Sequence, residues 1–169
     1  MKLIYYPDPI LETPCEPVTE FDEELELLFH AMYITMLLNK GVELSANQIG
    51  VSKRAFVMLD KKGKLVEFVN PEIVNKTNNL ANIREGCLSS PDVYDTVRDR
   101  AETVSVRYQD KEGEEWVETW SGLQAVCIQH EIDHLDGIFW IDRLSRKERR
   151  AANRRWKKSR IRLGLDEIS

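Results

Sequence analysis

His130 and His134 stand four residues apart, with Glu131 directly after the first. They form a His-Glu-x-x-His pattern inside residues 129–137, Gln-His-Glu-Ile-Asp-His-Leu-Asp-Gly. On a helix, residues four apart leave the same face. At ~1.5 Å rise per residue they are about 6 Å apart along the axis. That separation suits two nitrogen bonds of roughly 2.1 Å to one divalent cation. Glu131 is rotated about 100° from His130, so it can lie beside a metal and still reach a water. The arrangement is suited to metal-assisted hydrolysis, with the carboxylate moving protons. Two of the chain's three histidines lie here. The third, His30, falls beside an apolar helical stripe and reads as structural or solvated.

The elements that must position this pair can be read from periodicity. Leu123, Val126, Cys127, His130 and His134 share one helical stripe. Gly122 precedes the helix, and Gly137 is placed as a left-handed cap after it. Upstream, Val104, Val106 and Tyr108 alternate with polar residues, residues 110–114 turn the chain, and Val117 and Thr119 alternate on the return. This predicts an antiparallel hairpin leading directly into the histidine helix. Residues 54–59 read as a buried strand. A turn at residues 60–63 leads to a second strand over 64–70, which Asn70-Pro71 closes. Leu25, Leu28, Phe29, Met32, Met36 and Leu37 predict an N-terminal helix, with Asp22 as its cap and Gly41 at its end. Before it, Pro7, Pro9, Pro14 and Pro17 mark an extended arm. A last helix is predicted over 146–162.

A catalytic metal takes three protein ligands and leaves a position open. Downstream candidates are poor. Position 140, where a third histidine of one protease class would stand, is Trp140, and Glu148 lies in a basic run. Cys127 would lie about 10.5 Å along the helix from His134, too far to share an ion. Cys15 sits in the proline arm. Cys87 lies in residues 85–89, Glu-Gly-Cys-Leu-Ser, beside a glycine that lets backbone approach a ligand. A lone cysteine is also an ordinary small core residue, and spacing alone leaves both readings open.

The chain resembles the peptide deformylase family. Three stretches carry the resemblance, in order: residues 41–50, Gly-Val-Glu-Leu-Ser-Ala-Asn-Gln-Ile-Gly; residues 85–89; and residues 129–137. The likeness extends over roughly residues 3–145. It implies an α+β fold, with antiparallel sheets packed around a central metal-binding helix, an N-terminal helix and a basic C-terminal helix. It implies Cys87, His130 and His134 as metal ligands and Glu131 as the acid–base. It implies that the Gln48 amide and the Leu88 N–H hold the oxyanion, with Glu85 bracing the site beside Gly86. A methionine pocket would be formed by Val42, Ile83, Leu123, Val126, Cys127 and His130. The implied reaction releases formate from the formyl-methionine of nascent polypeptides, with Fe(II) as the natural metal and Zn(II) or Ni(II) able to substitute. The first stretch departs from the family pattern. Glu43 replaces a glycine and Ser45 an alanine, and Ser90 stands where a larger aliphatic residue is common. Glu43 is expected to place a charge near the peptide channel and to disfavour acidic residues after the formyl-methionine. The alternatives are a general His-Glu-x-x-His peptidase, or a weak family member acting as a ribosome or RNA binder.

Composition bounds the rest. Of 169 residues, 42% are apolar and 31% charged, as in ordinary globular domains. No apolar run approaches the ~18 residues of a membrane span. The N-terminus lacks signal-peptide and transit-peptide features. Three cysteines argue against a disulfide framework and for a reducing compartment, so the protein is expected in the cytoplasm, as a monomer. The net charge of −5 hides a split. Residues 1–142 carry 13 basic and 26 acidic side chains, while residues 143–162 carry 11 basic and one acidic. A catalytic domain over 1–145 and a basic helix and tail over 146–169 are expected, with ribosomal RNA as the partner of residues 146–162.

Overall fold

The structure is a computed structural model and describes residues 2–165. The end of the basic tail, residues 166–169, lies outside the described residues. Helix α1 runs over Glu23–Leu38, with the Asp22 carboxylate accepting from the Leu25 N–H as its cap. Strand β1 (Glu43–Ser45) leads into a short 3-10 turn that carries Gln48. Strands β2 (Ala55–Leu59) and β3 (Leu65–Lys76) form a hairpin. Two short strands follow, β4 (Glu85–Gly86) and β5 (Tyr94–Asp95). Strands β6 (Thr103–Gln109) and β7 (Glu115–Ser121) form the second hairpin, helix α2 spans Leu123–Leu135, and helix α3 spans Arg146–Arg162. The main sheet is antiparallel with order β1-β2-β3-β6-β7, and β4 pairs with β5 in a separate two-stranded piece. The fold is α+β, as expected.

The buried faces explain why α2 sits where it does. On β6, Val104, Val106 and Tyr108 all point inward. They join Phe56, Met58 and Phe68 against Ala125, Ile128, Ile132 and Leu135 of α2. Phe56 and Phe68 stack with centroids 4.3 Å apart. Burying such side chains is worth about 1.5–3 kcal/mol each, which fixes α2 on the sheet. The other side of the sheet packs on α1 through Leu44, Ala55, Val57 and Val69. A third cluster joins the N-terminal arm to α3 through Leu11, Phe139, Trp140 and Trp156.

Two expectations change. Strand β3 does not close at Asn70-Pro71. It continues to Lys76, because the ladder to β6 shifts register between Val69 and Glu72, and a bulge accommodates a residue with no N–H to donate. Asn70 takes φ 49 there, and its side chain bonds the backbone of Val18 in both directions. At the end of α1 the left-handed residue is Lys40, not Gly41. Gly137 does take the left-handed conformation after α2, at φ 73. A Cβ there would also lie 2.8 Å from the backbone of the proline arm, so glycine is needed for packing as well as for turning.

Candidate metal centre

Helix α2 brings His130 and His134 to its inner face, and both are buried. The chain leaving β4 brings Cys87 to them. The Cys87 Sγ lies 3.1 Å from His134 Nε2, and its thiol also hydrogen-bonds His130. One ligand atom from each of Cys87, His130 and His134 lies within 4.8 Å of the others. This donor set, one thiolate and two imidazoles, fits a divalent transition metal with an open position. Burial holds the His134 imidazole well below its usual range, which keeps it neutral, as a ligand must be.

His130 is oriented from behind. Its Nδ1 is 2.7 Å from Glu85 Oε2, which leaves Nε2 for the metal side. Glu85 is in turn gripped by Arg100, through Nε to Oε1 at 3.0 Å and Nη2 to Oε2 at 2.9 Å. Arg100 also reaches Asp133 Oδ2 at 2.5 Å, and Arg143 holds both Asp133 oxygens at 2.5 Å. Burial alone would raise the Glu85 carboxyl, but the His130 and Arg100 hydrogen bonds hold it down at about 2. Burial likewise opposes charge on His130, yet the Cys87 and Glu85 hydrogen bonds push it well above its usual range when no metal is bound. The network fixes α2 in rotation, so both imidazoles face Cys87.

Glu131 is 1% exposed, and its Oε2 has no partner among the described residues. Burial, with the Glu43 carboxylate beside it, pushes its carboxyl to about 8. Gln48 is oriented by the Ser45 N–H, which donates to its Oε1 at 3.0 Å. That turns the Gln48 Nε2 toward the site, 3.0 Å from Ser89 Oγ and 3.3 Å from Cys87 Sγ. A cleft of about 470 Å³ opens here, with Val42, Glu43, Leu88, Leu123, Val126 and Cys127 among its lining residues. Glu85, Gly86 and His130 also face it. Ile83 does not; it is half-buried elsewhere. Gly86 is needed for a reason the sequence does not reveal: a Cβ there would meet the Tyr94 ring at 2.5 Å.

Glu43 also lines this cleft. Its side chain turns inward, the Cys127 thiol hydrogen-bonds it, and its Oε2 is buried without a partner. Arg100, Asp133, Ser89 and Asn47 were not anticipated as supports of the site. Asn47 Nδ2 donates to the His134 carbonyl at 2.7 Å and ties the helix end to the Gln48 turn. The clue for Asp133 was its place three residues after His130, beside a charged surround. Arg100 had none, because its partners come from β4 and α2.

Comparison with known proteins gives one consistent result. The family model described as polypeptide deformylase matches residues 1–150. The chain is 43% identical over 158 residues to a peptide deformylase-like protein of Agrobacterium fabrum, covering 94% of this chain and 96% of that one. It is 44% identical over 161 residues to a peptide deformylase of Phenylobacterium zucineum, covering 93% and 95%. Its fold is similar to the crystal structure of a peptide deformylase from Legionella pneumophila, at TM-score 0.90 and 43% identity, over 97% of this chain and 96% of that chain.

Proposed function

The chain belongs to the peptide deformylase family, and from that premise we propose that Cys87, His130 and His134 hold its metal while Glu131 moves the protons. The enzyme hydrolyses the N-formyl group from the formyl-methionine that starts nascent polypeptides, and formate is released. The family is metal-dependent. When bound, the metal supplies Lewis-acid polarisation and makes a water easier to deprotonate. We take Fe(II) as the metal here, because one thiolate and two imidazoles suit it, with Zn(II) or Ni(II) able to substitute.

Glu131, buried beside the ligands, takes a proton from water. The oxygen so activated attacks the formyl carbon. The Gln48 amide donates to the developing oxyanion, joined by the N–H of Leu88, which lines the cleft beside Cys87. The bond from carbon to the amine nitrogen then breaks, and Glu131 returns its proton to that nitrogen. The single observation carrying this reading is the convergence of the Cys87 thiol and both imidazoles beside Glu131. Two variants test it. Cys87→Ala is expected to lose both metal content and formate release. Glu131→Gln is expected to keep the metal and lose at least a hundredfold in turnover. Normal metal retention with normal turnover in Cys87→Ala overturns the ligand set.

The basic helix supports ribosomal RNA as a partner, with the work taking place in the cytoplasm. Lys147, Arg150, Arg154, Lys157 and Lys158 are exposed and make no ion pair among the described residues. At 100° per residue they fall on one face of α3, opposite the buried Ala152, Trp156 and Ser159. Neutralising these five should abolish ribosome co-sedimentation at low salt and leave formate release from short peptides intact. Binding by the unaltered enzyme should fall steeply with salt, as counterion release requires. Equal pelleting by the neutralised variant rules out docking through this face. Truncating the helix is a poorer test, because Trp156 Nε1 donates to the Tyr6 carbonyl and Ser159 holds Asp92 on the cleft wall.

A further inference from the structure

Helix α1 is apolar on two faces. Leu25, Leu28, Phe29, Met32 and Met36 are buried in the core. Leu27, Ile34 and Leu38 are instead 62%, 41% and 78% exposed. At 100° per residue these three and Ala31 fall within about 60° of one another, on the side turned away from the core. Steps of four, three and four residues are the seam of a paired helix rather than the pattern of a solvated face. Beside Leu27 a groove of about 450 Å³ opens, lined by the buried Leu25 and Leu28 and by the exposed Glu20 and Glu24. Charge is divided along the helix. Glu20, Glu23 and Glu24 stand at its start and Lys40 just past its end, and none of them makes an ion pair among the described residues.

We propose that this face of α1 is an interface with a second copy of the chain, the two helices packing antiparallel about a two-fold axis, in place of the monomer expected from the sequence. The stripe is self-complementary in that register. Leu27 and Leu38 lie about 16 Å apart along the helix. Reversing a second helix about the point between Met32 and Tyr33 brings Leu27 onto Leu38 and Ala31 onto Ile34, and each pairing occurs twice. The small Ala31 leaves room for Ile34 near the axis. At either end the projecting Leu38 enters the groove beside Leu27, and Lys40 arrives at the acidic edge formed by Glu20 and Glu24. A parallel pairing would set both acidic starts together, and like charges oppose that. The antiparallel one also sets the two helix dipoles head to tail. One helix pair covers less than the ~800 Å² per partner of a standard interface. The association is therefore reversible, with a dissociation constant of about 1–10 µM. Helix α1 runs directly into Lys40, Gly41 and Val42, which line the substrate cleft, so each end of the interface lies beside a cleft.

Sedimentation equilibrium of the metal-loaded full chain over a concentration series tests this. The unaltered enzyme should pass reversibly between monomer and dimer. Ile34→Glu sets two like charges near the two-fold axis. It should weaken the dimer at least about a hundredfold and leave circular dichroism unchanged, because Ile34 lies outside the core. Lys40→Glu should weaken it about three- to thirtyfold, since two surface pairs are lost at once. Adding Glu24→Lys to Lys40→Glu exchanges the charges and should restore the affinity to within about threefold. A local disturbance caused by Lys40→Glu alone would not be rescued in this way. A protein still monomeric about tenfold above that dissociation range overturns the proposal and leaves the stripe to a different protein. A dimer that Ile34→Glu leaves intact also overturns it, because the contact then lies on another face. So does a dimer weakened by Lys40→Glu that the charge exchange fails to restore, which excludes the antiparallel register.

Discussion

Helices α2 and α3 carry charge in opposite ways. In α2 every residue from Ala125 to Leu135 is buried, including His130, Glu131, Asp133 and His134. In α3 only Ala152, Trp156 and Ser159 are buried, in a helix dense with arginine and lysine. The charges of α2 are shut off from solvent; Arg100 is a fixed partner for Asp133 and for Glu85, the β4 carboxylate behind His130, while Glu131 keeps an oxygen without a partner among the described residues. The charges of α3 are solvated whether or not they pair. Its inner flank meets acids on the body, Arg155 on Asp95 and Arg162 on Asp92, while its outer face is left to solvent. A charge on α2 therefore specifies geometry, and a charge on α3 contributes mainly to the field around the protein.

The sharpest break of that contrast is Arg100→Met. It removes the cation between two buried carboxylates, leaving Glu85 with His130 and Asp133 with Arg143. The expected loss is about 3–5 kcal/mol in urea unfolding of the metal-free protein. Metal affinity should fall about 10- to 100-fold, because Glu85 no longer holds His130 in place. A loss under about 1 kcal/mol would mean that water or Arg143 takes over and that α2 does not depend on the network.

The two helices were unequally legible in the sequence. The bounds of α3 and the histidine face of α2 followed from local signals, namely charge density, 3.6-residue spacing and glycine punctuation. So did the β6–β7 hairpin, through the alternation of Val104, Val106 and Tyr108 on β6, although Val117 on β7 faces solvent. What escaped was set by distant partners. Strands β4 and β5 are two residues each, too short for any period, and they exist because Gly86 admits the Tyr94 ring. The continuation of β3 past Pro71 depends on a bulge that only the facing strand β6 defines. Glu43 was visible as a departure from the family pattern, but its inward turn depends on the Cys127 thiol, which stands 84 residues later in the chain.

Acid should separate the two regions next. The folded carboxyl of Glu85 lies at about 2, below the ~4.3 of an unfolded glutamate. Its contribution is therefore fully present above pH ~4.3 and is lost as pH falls toward 2. The loss is on the order of 2–3 kcal/mol. In Glu85→Gln, metal-free, the unfolding free energy should be lower at pH 6 and should depend less on pH between about 4.5 and 2. An unchanged acid limb would place the sensitivity on other carboxylates.

The smallest effect is expected at the flank of α3. Arg155 Nη2 and Asp95 Oδ2 are 2.9 Å apart, with the arginine side chain 46% exposed. Water screens such a pair, and the long side chain must be ordered to make it, so a double-mutant cycle with Arg155→Ala and Asp95→Ala should give a coupling of only about 0.2–1 kcal/mol. That coupling should shrink further between 0.05 and 0.5 M salt, on the order of the range over which the Debye length falls well below 10 Å. The Arg100 network, being buried, should keep its coupling across the same range. If the Arg155–Asp95 coupling instead exceeded 2 kcal/mol and resisted salt, on the order of what a desolvated pair shows, then α3 would be welded to the strand beside the cleft. Binding a polyanion on its outer face would then be able to act on the substrate site through β5, and the two helices would differ in burial but not in how they use charge.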